Sequence, residues 1–176
     1  TGMSNFSEID NALKIISRGI SKKNISILQC TSSYPAPFED LNLKTINTIK
    51  KKYRLKTGFS DHSLGIEASI AAVSIGAEII EKHLTINKKS RGPDHKASLD
   101  VNEFKKMIYA IRNIEKSLGN KKYLTPSEKK NFKIVRKKIV ANTNIKKGEL
   151  ISIDKIGIKR SNDFNALSAD KVDLVL

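Results

Sequence analysis

Apolar residues recur at helical spacing over residues 4–22, where Ile9, Ala12, Leu13, Ile16 and Ile20 form one stripe and serine and aspartate near the start are available as caps. Residues 25–30 (ISILQC) are an apolar run of strand length. They lead into Thr31-Ser32-Ser33-Tyr34-Pro35-Ala36-Pro37, whose two prolines forbid a helix. Helical spacing returns over 41–53, with Leu43, Ile46 and Ile49 inward and Lys50, Lys51 and Lys52 toward solvent. Residues 57–60 read as a brief strand ending in Asp61-His62-Ser63, and 66–75 as an alanine- and isoleucine-rich helix closed by Gly76. Residues 78–85 (EIIEKHLT) read as a third strand. A polar loop, 87–98, then precedes Asp100, which forms a capping box with Glu103. The helix it starts carries Phe104, Met107, Ile108, Ile111 and Leu118 on its apolar side and ends at Gly119.

Strand and helix alternating in this way predict a parallel α/β construction. Residues 119–134 read as a polar linker marked by Pro126, and the pattern then changes. Short β-like runs at 138–141, 150–153 and 156–159, with a turn centred on Gly148, predict a second, small, β-rich module over 135–176 that stops before its last strands. An eight-fold α/β barrel takes about 250 residues, whereas residues 1–118 carry three predicted strands. The first part is therefore either a small open sheet or the C-terminal half of a barrel.

Composition narrows the class. The chain has 176 residues, of which 39% are hydrophobic and 6% aromatic, enough for one sizeable core with an appendage. No apolar run approaches the roughly 18–20 residues that cross a bilayer, and the opening Thr1-Gly2-Met3-Ser4 carries no secretory pattern. The single cysteine, Cys30, rules out an internal disulfide and a cysteine zinc cluster and fits a reducing, cytoplasmic setting. The net charge is +15, and residues 119–160 hold 13 Lys/Arg against 3 Asp/Glu. No aromatic-interleaved basic ribbon or recognition-helix pattern accompanies it, so a solvated lysine face or a small anionic substrate is expected rather than nucleic acid. A basic module binding nucleic acid or an acidic partner is the competing reading from another class.

In parallel α/β folds, reactive groups gather at the carboxyl ends of strands. Three consecutive predicted strands here end in Cys30-Thr31-Ser32-Ser33-Tyr34, Ser60-Asp61-His62 and His83-Leu84-Thr85. His62 and His83 stand one strand–helix–strand repeat apart, so their imidazoles can meet over adjacent strands about 4.8 Å apart. Two such ligands suit a catalytic ion with open positions, not a closed structural zinc site, and a purely structural role stays open on spacing alone. Asp94, in Arg91-Gly92-Pro93-Asp94-His95, is either a carboxylate presented over the strand ends or a turn-stabilising residue. Cys30 reads as a small buried hydrophobe with no base beside it, and Tyr34 as packing on its prolines unless it lines a site. The residues assign no role to His95.

CTSSYPAP (30–37), GFSDHSLGIEA (58–68), EKHLT (81–85) and GPDHKASL (92–99) together resemble the sialic acid synthase family, the N-acetylneuraminate synthases. The likeness runs on through PSEKKN (126–131), IVANTNIKKGELIS (139–152) and IKR (158–160), which are similar to that family's antifreeze-like (SAF) domain. The resemblance implies the C-terminal portion of a TIM-type (β/α)8 barrel, residues 1–118, then a linker and a SAF domain. It implies condensation of phosphoenolpyruvate with N-acetylmannosamine to N-acetylneuraminate and phosphate, or a legionaminate or pseudaminate variant of that reaction. His62 and His83 match the ligands of a divalent metal, usually Mn2+ with Mg2+ the alternative. Asp94 matches the carboxylate near the sugar, Tyr34 a sugar-side aromatic, and Ser32 and Ser60 polar positions around phosphoenolpyruvate. Arg160 matches an arginine that one subunit's SAF domain inserts over its partner's site in a homodimer. The family's phosphoenolpyruvate-binding lysines and catalytic glutamate have no counterpart in this segment, which is expected to be inactive alone; an inactive relic is the remaining alternative. After Arg160 the family's Pro-Gly and Gly-Ile-x-Pro turns are replaced by Ser161-Asn162-Asp163-Phe164-Asn165.

Overall fold

Three parallel strands, β1 (Ser26–Cys30), β2 (Lys56–Asp61) and β3 (Ile79–Lys82), lie in the order β1-β2-β3 in a computed structural model of the chain, which describes residues 1–163 and 165–176. Phe164, in the segment that departs from the family pattern, lies outside the described residues. The described residues form two units, Thr1–Gly119 and Asn120–Leu176, each treated by itself below.

In the first unit, register and strand alternation divide the sheet into two unlike faces. Leu28, Gly58 and Ile79, then Cys30, Ser60 and Glu81, stand level with one another on one face. Gln29, Phe59 and Ile80, with Asp61 and Lys82 beyond them, occupy the other. The helices α2 (Thr45–Tyr53) and α3 (Glu67–Ser74) cover this second face, where Ile46, Ala68 and Ala72 cluster with the fully buried Phe59 and with Ile80. Burying a side chain of Phe59's size contributes roughly 1.5–3 kcal/mol. Helix α4 (Val101–Ser117) adds a second cluster, Val73, Leu99, Met107 and Ile111, and begins on the expected Asp100/Glu103 capping box. Gly76 takes φ +103° just after α3, a conformation that a side chain would oppose.

Two boundaries differ from the sequence pattern. Helix α1 (Phe6–Ile16) is capped by Asn5 with Glu8, not by serine or aspartate. It stops six residues short of Lys22, because Arg18 and Gly19 bond three residues back to Ile15 and Ile16 and tighten the last turn. Strand β3 ends at Lys82, not Thr85. Beyond it, the His83 carbonyl accepts from the Leu99 amide at 3.1 Å and the Thr85 amide donates to the Leu99 carbonyl at 2.8 Å. This short bridge pins both ends of the loop between Thr85 and Leu99.

In the second unit, the stretch expected as a linker contains α5 (Pro126–Lys129), with a Thr125/Glu128 capping box, and α6 (Phe132–Val135). Strands β4 (Lys137–Ala141) and β5 (Ile156–Arg160) pair antiparallel, and the far edge of β4 meets Ser168. Residues 150–153 form no strand, contrary to their apolar pattern. Leu150 is 82% exposed, and Lys155 Nζ gathers the Glu149 carboxylate and the Leu150 carbonyl at 2.8 and 2.9 Å, curling the segment into a loop. Gly148, at φ +83°, makes the turn before it. Among the described residues no helix is long and apolar enough to cross a membrane.

Candidate functional site

The carboxyl ends of β1, β2 and β3 carry a cluster of rings. The Tyr34 ring stacks on His83 with centroids 4.2 Å apart and meets His62 edge-on at 5.5 Å. The two imidazoles stand 5.4 Å apart, tilted by 72°. His62 is fixed by the β1 loop from two sides: its Nδ1 lies 2.9 Å from the Thr31 carbonyl, and its own carbonyl accepts from the Ala36 amide at 2.9 Å. A carbonyl only accepts, so that contact keeps the proton on Nδ1 and the lone pair on Nε2.

Asp94 sits on the loop clamped by the Leu84–Leu99 bridge. Its Oδ2 is 3.8 Å from His83 Nδ1, too far for a hydrogen bond, and its side chain is 54% exposed. The Ser98 hydroxyl donates to the Asp94 carbonyl at 2.8 Å, so the Tyr34 hydroxyl, 3.2 Å from Ser98 Oγ, is the donor in that contact. Burial pushes the Tyr34 phenol above its ordinary value, which keeps it protonated as a donor. The loop is held again at His95, whose Nδ1 is 2.8 Å from the buried Thr85 hydroxyl. This supplies the role that the sequence did not assign to His95.

Ser60 is buried on the same sheet face and donates to Glu81 Oε1 at 2.6 Å. Ser32 lies exposed on the β1 loop, its hydroxyl against Gly2. Arg160 belongs to the second unit, at the end of β5, with its side chain exposed. Tyr34, His62, His83 and Asp94 are thus gathered at one place, Ser60 lies lower on the same face, and Ser32 stays on the loop.

Two residues were missed. Cys30 is half-buried, with Sγ 3.8 Å from His62 Nδ1, so an imidazole does stand beside it, contrary to the sequence reading. Glu81 shares the face of Ser60 and of His83. Its position two residues before His83 was the available signal, since residues two apart on a strand face the same way. Among the described residues, no group of three or more His, Cys, Asp or Glu side chains is disposed to hold a metal ion.

In parallel α/β sheets, ligands bind outside the carboxyl ends of the strands, where these polar side chains converge. Residues 1–123 match the NeuB family, and the chain belongs to it. It is 46% identical over 170 residues to the N,N'-diacetyllegionaminic acid synthase of Campylobacter jejuni subsp. jejuni serotype O:2, covering 95% of this chain and 51% of that protein. It is 37% identical over 138 residues to human N-acetylneuraminate-9-phosphate synthase, covering 77% of this chain and 38% of that one. The N-acetylneuraminic acid (sialic acid) synthetase of Leptospira borgpetersenii serovar Hardjo-bovis, solved with citrate, superposes with a TM-score of 0.65 at 39% identity over 74% of this chain and 46% of its own. The chain therefore spans about half the length, or less, of these relatives. The resemblance in the motifs and the family match agree, and the relatives are synthases of sialic-acid-type sugars.

Proposed function

We propose that this segment is the metal- and sugar-binding half of a synthase that condenses phosphoenolpyruvate with an N-acetylated hexosamine-type sugar to give a sialic-acid-type acid and phosphate. The observation that carries the reading is the convergence of His62, His83 and Tyr34 at neighbouring strand ends, with Asp94 beside them. N-acetylmannosamine is one candidate sugar. The 46% identity to the Campylobacter enzyme favours instead a sugar bearing two acetamido groups, with pseudaminate chemistry a further variant.

The two imidazoles fit a divalent ion of the Mn2+ or Mg2+ type, because His62 keeps Nε2 free and oxygen ligands from substrate suit the remaining positions. Such an ion supplies Lewis-acid polarisation of a carbonyl oxygen when bound. Asp94, with its side chain 54% exposed, accepts from a sugar hydroxyl and orients the aldehyde. Tyr34 lines the sugar side, and its hydroxyl, through Ser98, holds the loop that carries Asp94. Ser32, and Ser60 with its hydroxyl bonded to Glu81, take polar positions around phosphoenolpyruvate. In the overall chemistry the enol carbon bonds to the sugar aldehyde carbon, whose oxygen gains a proton. The neighbouring carbon, which carries the phosphate oxygen and is left electron-poor by that attack, takes up water with loss of a proton. Phosphate then leaves it by C–O cleavage to give the ketone.

The reading carries further parts: a (β/α)8 barrel completed by chain outside this segment, a SAF-type fold for residues 135–176, and a cytoplasmic homodimer in which Arg160 reaches the partner's sugar. The test is phosphate release from phosphoenolpyruvate and each candidate sugar by the full-length protein, alongside Mn2+ titration. His62→Ala and His83→Ala should abolish metal-dependent turnover while the protein stays folded, and wild-type activity in either overturns the reading. Arg160→Ala should raise the sugar KM, and an unchanged value removes Arg160 from the site.

A further inference from the structure

Behind the two histidines, on the helix-covered face of the sheet, the residues that precede them form a buried ion pair. Lys82 Nζ lies 3.0 Å from Asp61 Oδ2, and the two side chains are 1% and 0% exposed. The remaining polar capacity of the pair is well used. The Ser63 amide and hydroxyl donate to Asp61 Oδ1 at 2.9 and 2.6 Å, Ser69 of α3 donates to Oδ2 at 2.6 Å, and Lys82 also donates to the Ser63 carbonyl.

A buried pair of this kind is a poor stability device, because the desolvation of both charges offsets most of their attraction and an apolar pair of similar volume packs as well. What it does well is fix register, since any sliding leaves a buried charge unmatched. Here it ties the last residue of β2 to the last residue of β3 and fastens the loop that follows β2. The residue that follows each strand is a histidine, and the alternation carried one step past the strand end turns it to the other face.

We propose that Asp61 and Lys82 are positioning residues that hold the His62 and His83 imidazoles at their mutual distance and keep His83 on the Tyr34 ring. The consequence for metal affinity rests on the functional reading above; the consequence for ring geometry does not. The pair acts through the backbone, one residue from each imidazole, and touches no reacting atom.

The test uses the full-length protein with Asp61→Asn/Lys82→Met, which removes both charges together and leaves none unpaired. In the metal-free state, the nuclear Overhauser contact between the Tyr34 and His83 rings should fall by half or more. The Mn2+ dissociation constant, read by electron paramagnetic resonance with the metal alone, should rise about 10-fold or more, as for other groups that orient metal ligands. Lys82→Arg alone, which keeps a cation opposite Asp61, should change both less than the double variant does. A folded double variant with native ring contacts and unchanged Mn2+ affinity overturns the proposal. If the double variant does not fold, Ser69→Ala, which removes a single donor to Asp61, should shift both readouts in the same direction by less, and no shift there overturns the proposal equally. A wild-type protein that takes up no Mn2+ overturns the metal reading, and the ring contact still decides the positioning role.

Discussion

The Tyr34 ring lies on the His83 imidazole at a centroid distance of 4.2 Å, with the planes 29° from parallel. An aromatic pair of this kind contributes about 0.5–1.5 kcal/mol beyond the area it buries, and here it restrains a residue that stands beyond the end of its strand. Tyr34→Phe should keep the stack and lose only the hydrogen bond to Ser98. Tyr34→Ala should free His83 and weaken Mn2+ binding more than Tyr34→Phe does. Isothermal titration with Mn2+ compares the two, and equal affinities would remove Tyr34 from the support of the site.

Gly58 leaves no room for a side chain between β2 and β3. A methyl there would collide with the Ile79 carbonyl oxygen and lie 2.8 Å from the Ile79 Cβ, and backbone cannot rotate away as a flexible side chain can. Gly58→Ala should therefore push β3 outward and move His83 relative to His62. The expected result is a lower thermal midpoint together with weaker Mn2+ uptake. A fully stable, metal-competent variant would show that the strands yield without moving the site.

Asp100 accepts from the Asn102 and Glu103 amides at 2.8 and 2.9 Å, and Asp100→Ala should cost about 1 kcal/mol in denaturant unfolding. Glu103 completes the box and pairs with Lys88 of the Asp94 loop. The Lys88 ammonium, then the Asp100 amide, hold the Glu103 carboxyl below its ordinary value of about 4.5. The folded state thus favours the ionised form. Its contribution is present above that ordinary value and is lost as the pH falls through the lowered native one. Thermal midpoints of wild type and Glu103→Gln should differ at neutral pH and converge in acid; a gap that persists in acid would mean the ion pair does not hold the loop.

His95 reaches across its loop to Thr85 at 2.8 Å, next to Asp94 in sequence. His95→Ala should loosen the placement of Asp94 and raise the sugar KM, whereas His95→Asn, which can still bond to the threonine, should do so less. Steady-state kinetics of the full-length protein with the sugar varied measures this, and identical KM values for His95→Ala and wild type would leave His95 with no part in placing Asp94.

Much of this was legible in the residues themselves. The periodicity around Ile46 and Ile49, the Asp100/Glu103 box, and the three strand-like runs ending in polar residues fixed the order of elements and put His62 and His83 at matched ends. Each is a local signal, set by propensity, capping and the alternation of side chains along a strand. The tertiary structure decided what contacts over long sequence separations control. It ended β3 at Lys82 because Leu99 supplies the next hydrogen bonds, left residues 150–153 out of the sheet because Lys155 gathers that segment into a loop, set an imidazole beside Cys30, and gave His95 a partner. It alone revealed that Asp61 and Lys82, which read in sequence as two more charges among many, meet in a buried layer behind the histidines. The reason is physical: pattern along a chain reports which side of an element a residue takes, but only the packing of one strand against the next settles which charges share that side and at what distance.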